Sequence, residues 1–142
     1  MRTANQLLEE KGHDVHTIPA DAPVLEAVRR MSELGIGALL VLREGRLAGV
    51  VSERDYARKV ILMGRSSSDT AVHEIMSDEV VTVSPLDSTD HCMRLMTHGR
   101  FRHLPVVEQG EVVGVLSIGD LVKAVIADQQ HEIEQLQHYI AG

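Results

Sequence analysis

The sequence predicts an α/β (α+β) fold in which one β-α-β-β-α unit is used twice, with a helix appended at the C-terminus. Two observations carry this. Laid over residues 78–127 at a constant shift of 65, with no gap, residues 13–62 keep meeting their own kind. Val15 falls on Val80, Thr17 on Thr82, Arg29 on Arg94, Met31 on Met96, Leu39 on Leu104 and Val41 on Val106. Gly45, Gly49, Val50, Ser52, Asp55, Val60 and Ile61 then fall on Gly110, Gly114, Val115, Ser117, Asp120, Val125 and Ile126. The second observation is that strand-like and helix-like apolar spacing follow in the same order in both copies. Internal repetition dictates architecture before any local signal does. Two copies exclude a long solenoid and predict two repeats packed with pseudo-two-fold symmetry.

Taken in order, residues 1–12 form an N-terminal helical segment with Ala4, Leu7 and Leu8 on one face, echoed by Val72, Ile75 and Met76 before the second copy. The first repeat spans 13–63, residues 64–71 with their three serines form a linker, the second repeat spans 72–127, and 128–142 extend its last helix. Each copy opens on a short strand, His13–Ile18 or Val80–Val83. Helix-start chemistry follows at Asp21 and Pro23, or at Asp87 and Ser88. The first helices carry Val24, Ala27, Val28, Met31 and Leu34, and Thr89, Cys92, Met93 and Met96, at helical spacing. Hairpins follow: Ala38–Leu42 with Leu47–Val51, and Leu104–Val107 with Val112–Leu116, turning at Gly45 and Gly110 where a positive φ is needed. Helices Glu53–Met63 and Ile118–Ala127 close the copies, the second running on to about Ile140.

Composition narrows the function. A formal charge of −7 argues against a nucleic-acid partner, which calls for a basic face. The apolar fraction of 44% and charged fraction of 25% suit a soluble globular chain. One cysteine, Cys92, cannot form an internal disulfide, and no leader or membrane-length apolar run is visible, so a cytoplasmic protein with no membrane partner is expected. Tyr56, Phe101 and Tyr139 are the only aromatic residues, so a planar ligand would lie between aliphatic side chains.

The sharpest motif is Gly-Val-Val-Ser-Glu-Arg-Asp at 49–55, repeated as Gly-Val-Leu-Ser-Ile-Gly-Asp at 114–120. Both place Ser-x-x-Asp where a strand becomes a helix. Open N–H groups and the helix dipole there favour an anion, Ser52 and Ser117 can add a hydroxyl, and Asp55 and Asp120 can accept from a ribose diol. Ser-x-x-Asp is equally a variant capping box that holds a helix start with no ligand.

Together with Arg-His-Leu-Pro-Val-Val at 102–107, these features resemble a tandem pair of cystathionine-β-synthase (CBS) domains, a Bateman module of the small stand-alone kind. The resemblance implies paired clefts between the repeats and regulation by an adenine nucleotide: AMP, ADP, ATP or NAD(H). It places ribose hydroxyls on Asp55 and Asp120, phosphates near Ser52 and Ser117, and the base beside Thr17 and Ile18 or Thr82 and Val83. Gly37, Ala38 and Leu39, and Arg102, His103, Leu104 and Pro105, would present backbone groups and apolar contacts to the adenine. The copies differ in charge. Arg54, a candidate phosphate cation, is matched by Gly119, while Arg100, Arg102 and His103 stand where the first copy has Gly35, Gly37 and Ala38.

Other constellations lead to less. His131 and His138 share a helix face with no further ligand at metal spacing, so no metal is expected. Cys92 sits in the apolar phase of a helix as a small hydrophobe, and no catalytic pair or triad emerges, so the chain is not read as an enzyme. Ile133, Leu136 and Ile140 suit either intramolecular packing or a homodimer contact. Three functions follow: an adenine-nucleotide sensor acting on an unidentified regulated protein, a protein-interaction scaffold without a ligand, or an S-adenosylmethionine sensor. A carboxylate at the ribose would disfavour NADP(H).

Overall fold

The computed structural model describes residues 2–99 and 101–141, and they fall into two compact units. Residues Val15–Val80 make one unit. Its strand β1 (Thr17–Pro19) runs parallel to β2 (Ala38–Arg43), with Thr17 opposite Leu40 and Ile18 opposite Val41. Strand β3 (Arg46–Ser52) returns antiparallel, pairing Ala38 with Ser52 and Val41 with Gly49 before a one-residue register shift. Glu44 and Gly45 both sit at positive φ (53° and 76°), the type I′ turn whose twist matches a two-residue hairpin. After α1 (Ala4–Lys11), which belongs to the other unit, α2 (Val24–Leu34) lays Val24, Ala27 and Met31 on Ile18, Leu39, Val41 and Val51. Leu34, expected on this face, is exposed instead.

The helix expected over 53–63 differs in form. Four α-helical residues, α3 (Glu53–Tyr56), give way to a π-helical turn over Ala57–Ile61, with i→i+5 bonds such as Leu62 N–H to the Ala57 carbonyl at 3.0 Å. Within that wider turn Val60 enters the core, while Lys59 reaches the Ile75 carbonyl at 2.8 Å.

The other unit repeats the hairpin: β4 (His103–Glu108) and β5 (Glu111–Ser117) pair in the same register, His103 opposite Ser117 and Val106 opposite Gly114. Its turn residues Gln109 and Gly110 again have positive φ (51° and 82°). The strand expected at Val80–Val83 is reduced to a single parallel bridge between Val83 and Val106. The cause lies in Pro105. In the first copy the Leu40 N–H bonds the His16 carbonyl at 3.1 Å, and Pro105 stands at the position of Leu40 with no N–H to give. Helix α4 (Thr89–Gly99) buries Thr89, Cys92 and Met96, and burial pushes the Cys92 thiol up to about 11, as suits an inert packing residue. Helix α5 (Ile118–Ala141) buries Leu121 and Ala124 and is exposed from Gln129 onward.

The segments leading into the two copies change places. Helix α1 precedes the first copy, yet Ala4, Leu7 and Leu8 are buried in the core of the second, beside Cys92, Leu104, Leu116 and Leu121. Val72 and Ile75 precede the second copy and are buried in the core of the first. The matched glycines make room for these leaders. A Cβ on Gly114 would lie 2.6 Å from a Leu8 methyl, and one on Gly49 would lie 2.6 Å from the Ser77 carbonyl and 2.7 Å from Met76 Sδ. The Gly49 neighbour Val50 is bonded to Ser77 in both directions, at 3.0 and 2.9 Å.

Candidate functional site

Both Ser-x-x-Asp segments stand where β3 and β5 pass into helices, and both form the capping arrangement. The Ser52 N–H donates to Asp55 Oδ2 at 2.8 Å, the Ser52 hydroxyl donates to the same oxygen at 3.0 Å, and the Asp55 N–H returns to Ser52 Oγ at 3.3 Å. In the second copy the Ser117 N–H donates to Asp120 Oδ2 at 2.8 Å and the Asp120 N–H donates to Ser117 Oγ at 3.1 Å. The first helical N–H is taken as well: Glu53 donates to the Gly37 carbonyl (3.0 Å) and Ile118 to the Arg102 carbonyl (2.9 Å). Each aspartate is therefore anchored through Oδ2, and Oδ1 has no hydrogen-bond partner among the described residues.

Lysines complete the two arrangements by different routes, which the sequence reading missed. Lys59, one helical turn after Asp55, brings Nζ to 3.5 Å from Asp55 Oδ1. Lys11, at the end of α1, brings Nζ to 2.6 Å from Asp120 Oδ2 and to 2.6 Å from the Val115 carbonyl. The i,i+4 spacing made the first pair legible. No local signal marks the second, whose partners lie 109 residues apart.

The remaining residues divide by unit. Thr17, Ile18, Gly37, Ala38, Leu39, Ser52, Arg54 and Asp55 lie in one unit, and Thr82, Val83, Arg102, His103, Leu104, Pro105, Ser117 and Asp120 in the other. Ile18 and Leu39 are buried in the core of one unit, Val83 and Leu104 in that of the other, and Pro105 is buried as well. The Thr17 carbonyl accepts from Arg30, and the Gly37 and Arg102 carbonyls cap helices, which removes those acceptors from the set expected to face a base. Thr82, Arg54 and Arg102 are exposed, and Arg54 has no ion pair among the described residues. Arg100 lies outside the described residues.

The charges around Asp120 respond to one another. Burial works to raise its carboxyl, but the Lys11 ammonium and the Ser117 hydrogen bonds outweigh burial and hold it below the usual value. Burial pushes His103 down, helped by Lys11 and Arg102 and opposed by Asp120. His13 goes the other way, raised chiefly by its bond to the Val113 carbonyl and also by Glu9. An NMR titration of the imidazoles is expected to show His103 titrating below 6.5 and His13 above it. A depressed histidine stabilises the fold above the unfolded value near 6.5, and that contribution is lost as pH falls through the lower folded value. Coincident titration of the two rings would contradict the placement of His103.

A repeated α+β unit with a carboxylate fixed at each strand-to-helix junction defines a two-copy module built around helix starts. The chain belongs to the CBS domain family, which it matches over residues 11–61 and again over 72–127, as a tandem pair. Such pairs are in general regulatory, ligand-binding modules. The chain is 42% identical over 127 residues to the mitochondrial CBS domain-containing protein CBSX3 of Arabidopsis thaliana, covering 86% of this chain and 62% of that relative. A solved protein with CBS domains from Burkholderia ambifaria superposes with a TM-score of 0.85 at 52% identity, over 89% of this chain and 96% of that one. The CBS pair of protein MJ0100, solved with 5′-methylthioadenosine and S-adenosylmethionine, shares the fold at a TM-score of 0.79 and 22% identity, over 90% of this chain and 98% of that one. No described helix is long and apolar enough to cross a membrane.

Proposed function

We propose that the chain is a regulatory, non-catalytic module that binds an adenine nucleotide (AMP, ADP, ATP or NAD(H)) and passes its occupancy to a partner protein. The observation that carries this is the pair of part-buried aspartates, each fixed through Oδ2 at a helix start, with Oδ1 open on Asp120 and facing only the Lys59 ammonium, at 3.5 Å, on Asp55. An ionised carboxylate held in this way accepts from a vicinal diol, and ribose is the diol that adenine nucleotides share. Arg54 in one copy and Arg102 in the other are exposed cations suited to phosphate, and Thr17 and Thr82 would flank the base. With three aromatic residues in the chain, aliphatic side chains and main chain would hold the adenine. A cytoplasmic setting fits the single, buried cysteine.

S-adenosylmethionine is the second reading, favoured by the methylthioadenosine and S-adenosylmethionine complex of MJ0100 and served by the same ribose contact. A scaffold whose motifs only cap helices is the third. The module acts as a homodimer: Ile133, Leu136, Tyr139 and Ile140 on α5 are 48–84% exposed, an apolar stripe that a second copy would cover.

Calorimetric titration of nucleotide-free protein with AMP, ATP, NADH and S-adenosylmethionine tests the reading, with sedimentation of the same samples reporting the dimer. Micromolar binding of at least one ligand is expected, lost in Asp55→Ala/Asp120→Ala while the variant stays folded. No binding by any of the four would leave the scaffold.

A further inference from the structure

The two aspartates are not held alike. Every group that fixes Asp55 comes from its own copy: Ser52 through N–H and hydroxyl, and Lys59 one turn along the same helix. Asp120 is fixed on one side by Ser117 and on the other by Lys11, which arrives on the displaced leader helix α1. Lys11 is not a loosely paired surface lysine. Its ammonium bonds two acceptors, Asp120 Oδ2 and the Val115 carbonyl, both at 2.6 Å, and its side chain is 37% exposed. Two of its three N–H groups are engaged, which leaves one.

On the carboxylate, Oδ2 accepts from both Ser117 N–H and Lys11, and Oδ1 accepts from nothing among the described residues. Lys11 thus occupies the oxygen that the helix start already uses and leaves the other clear. The α1 helix that carries Lys11 is seated by Ala4, Leu7 and Leu8, and Arg2 fastens its start by bonding Glu10 and the Ala124 carbonyl. The position of the ammonium is therefore set by how well α1 is docked.

We propose that Lys11 is a positioning residue for the Asp120 half-site, presenting the carboxylate with Oδ1 open and thereby coupling occupancy of that site to the docking of α1. This rests on the adenosine reading given above. If docked α1 favours ligand at Asp120, ligand must favour docked α1 by the same factor. The groups that fix Asp55 include none from α1; Lys59 is bonded instead to the Ile75 carbonyl of the other leader. The repeat therefore contains one site that reports on the N-terminal helix and one that does not.

Lys11→Met keeps the aliphatic stem and removes the charge, and Lys11→Arg keeps the charge. A carbon-detected NMR titration of the side-chain carboxyls in the ligand-free full chain is the first readout. Lys11→Met is expected to move the Asp120 titration up toward the ordinary aspartate range and leave Asp55 unmoved, with Lys11→Arg restoring it. The second readout is ATP affinity together with amide exchange at Leu7, Leu8 and Gly12. ATP is expected to slow these amides in the wild type and in Asp55→Ala, whereas Lys11→Met binds ATP about fivefold more weakly at the Asp120 site and shows no such slowing. An unmoved Asp120 titration overturns the proposal, and so does a moved titration with unchanged ATP affinity and unchanged protection of α1. If the wild type binds none of ATP, AMP, NADH or S-adenosylmethionine, the adenosine reading fails alone. Faster exchange of the α1 amides in Lys11→Met would then keep the clamp, and unchanged exchange would remove it too.

Discussion

Leu8→Ala is expected to destabilise its unit by about 2–5 kcal/mol, and Gly114→Ala is expected to do far less harm in that background than alone. Leu8 is fully buried and lies against Gly114, where a methyl group would stand 2.6 Å from one Leu8 methyl and 2.7 Å from the other. Gly114→Ala alone therefore overpacks the site, at a cost of about 1–3 kcal/mol. Once Leu8 is shortened, the same methyl group enters space that the leucine has left. Urea unfolding of the wild type, both single variants and the double variant closes the cycle, with a favourable coupling of about 1 kcal/mol or more expected. Additive losses would mean that α1 does not pass over Gly114. Gly49 offers a control, because its nearest neighbour is the Ser77 carbonyl, a backbone atom that shortening Met76 cannot remove.

That pair of glycines shows how far the sequence could be read. Their repetition was visible at once, and so were the two hairpins, whose identical spacing gives identical burial along β2 and β4 and along β3 and β5. What Gly49 and Gly114 were for was not visible. A glycine needed for close approach looks the same in sequence as one needed for a turn, and the approaching residues Leu8 and Met76 come from segments that resemble local decoration. Residues 4–11 and 72–76 are legible as a loose echo of each other, but the core each one enters is not: Ala4, Leu7 and Leu8 are buried in one unit, Val72 and Ile75 in the other. Pro105 was on view from the start, quoted as part of a motif. Its cost to the parallel pairing with residues 81–83 emerges only when it is laid on Leu40.

At the site, the motif revealed both aspartates and their helix starts, and its two readings could not be separated by pattern. The geometry satisfies the capping reading in both copies, and a capped aspartate still has a second oxygen. The long-range part was illegible for a physical reason: an ion pair between Lys11 and Asp120 depends on where α1 docks, and docking is decided by the buried face of α1, not by its terminal lysine. His103 was singled out as a basic residue. In place, burial, with Lys11 and Arg102 nearby, holds its titration below the ordinary imidazole value.

Asp120→Ala is expected to cost more stability than Asp55→Ala, and the excess is expected to disappear in acid. Either substitution removes a capping partner, worth about 1 kcal/mol. Asp55→Ala leaves Lys59, which is 47% exposed and bonded to the Ile75 carbonyl, free to hydrate. Asp120→Ala leaves the less exposed Lys11 ammonium with one acceptor where it had two, and losing a hydrogen bond to a charged partner raises the total to about 2–3 kcal/mol. The folded-state carboxyl of Asp120 is held below its ordinary value of 3.8. Its charge therefore stabilises the fold fully above that value, and the contribution is lost as pH falls through the lower folded value. Urea midpoints of the wild type and Asp120→Ala should stand apart at neutral pH and draw together as the medium is taken well below 3.8. A separation that persisted there would locate the effect in packing, and Asp120 would lose its standing as an ionised acceptor held ready for a hydroxyl group.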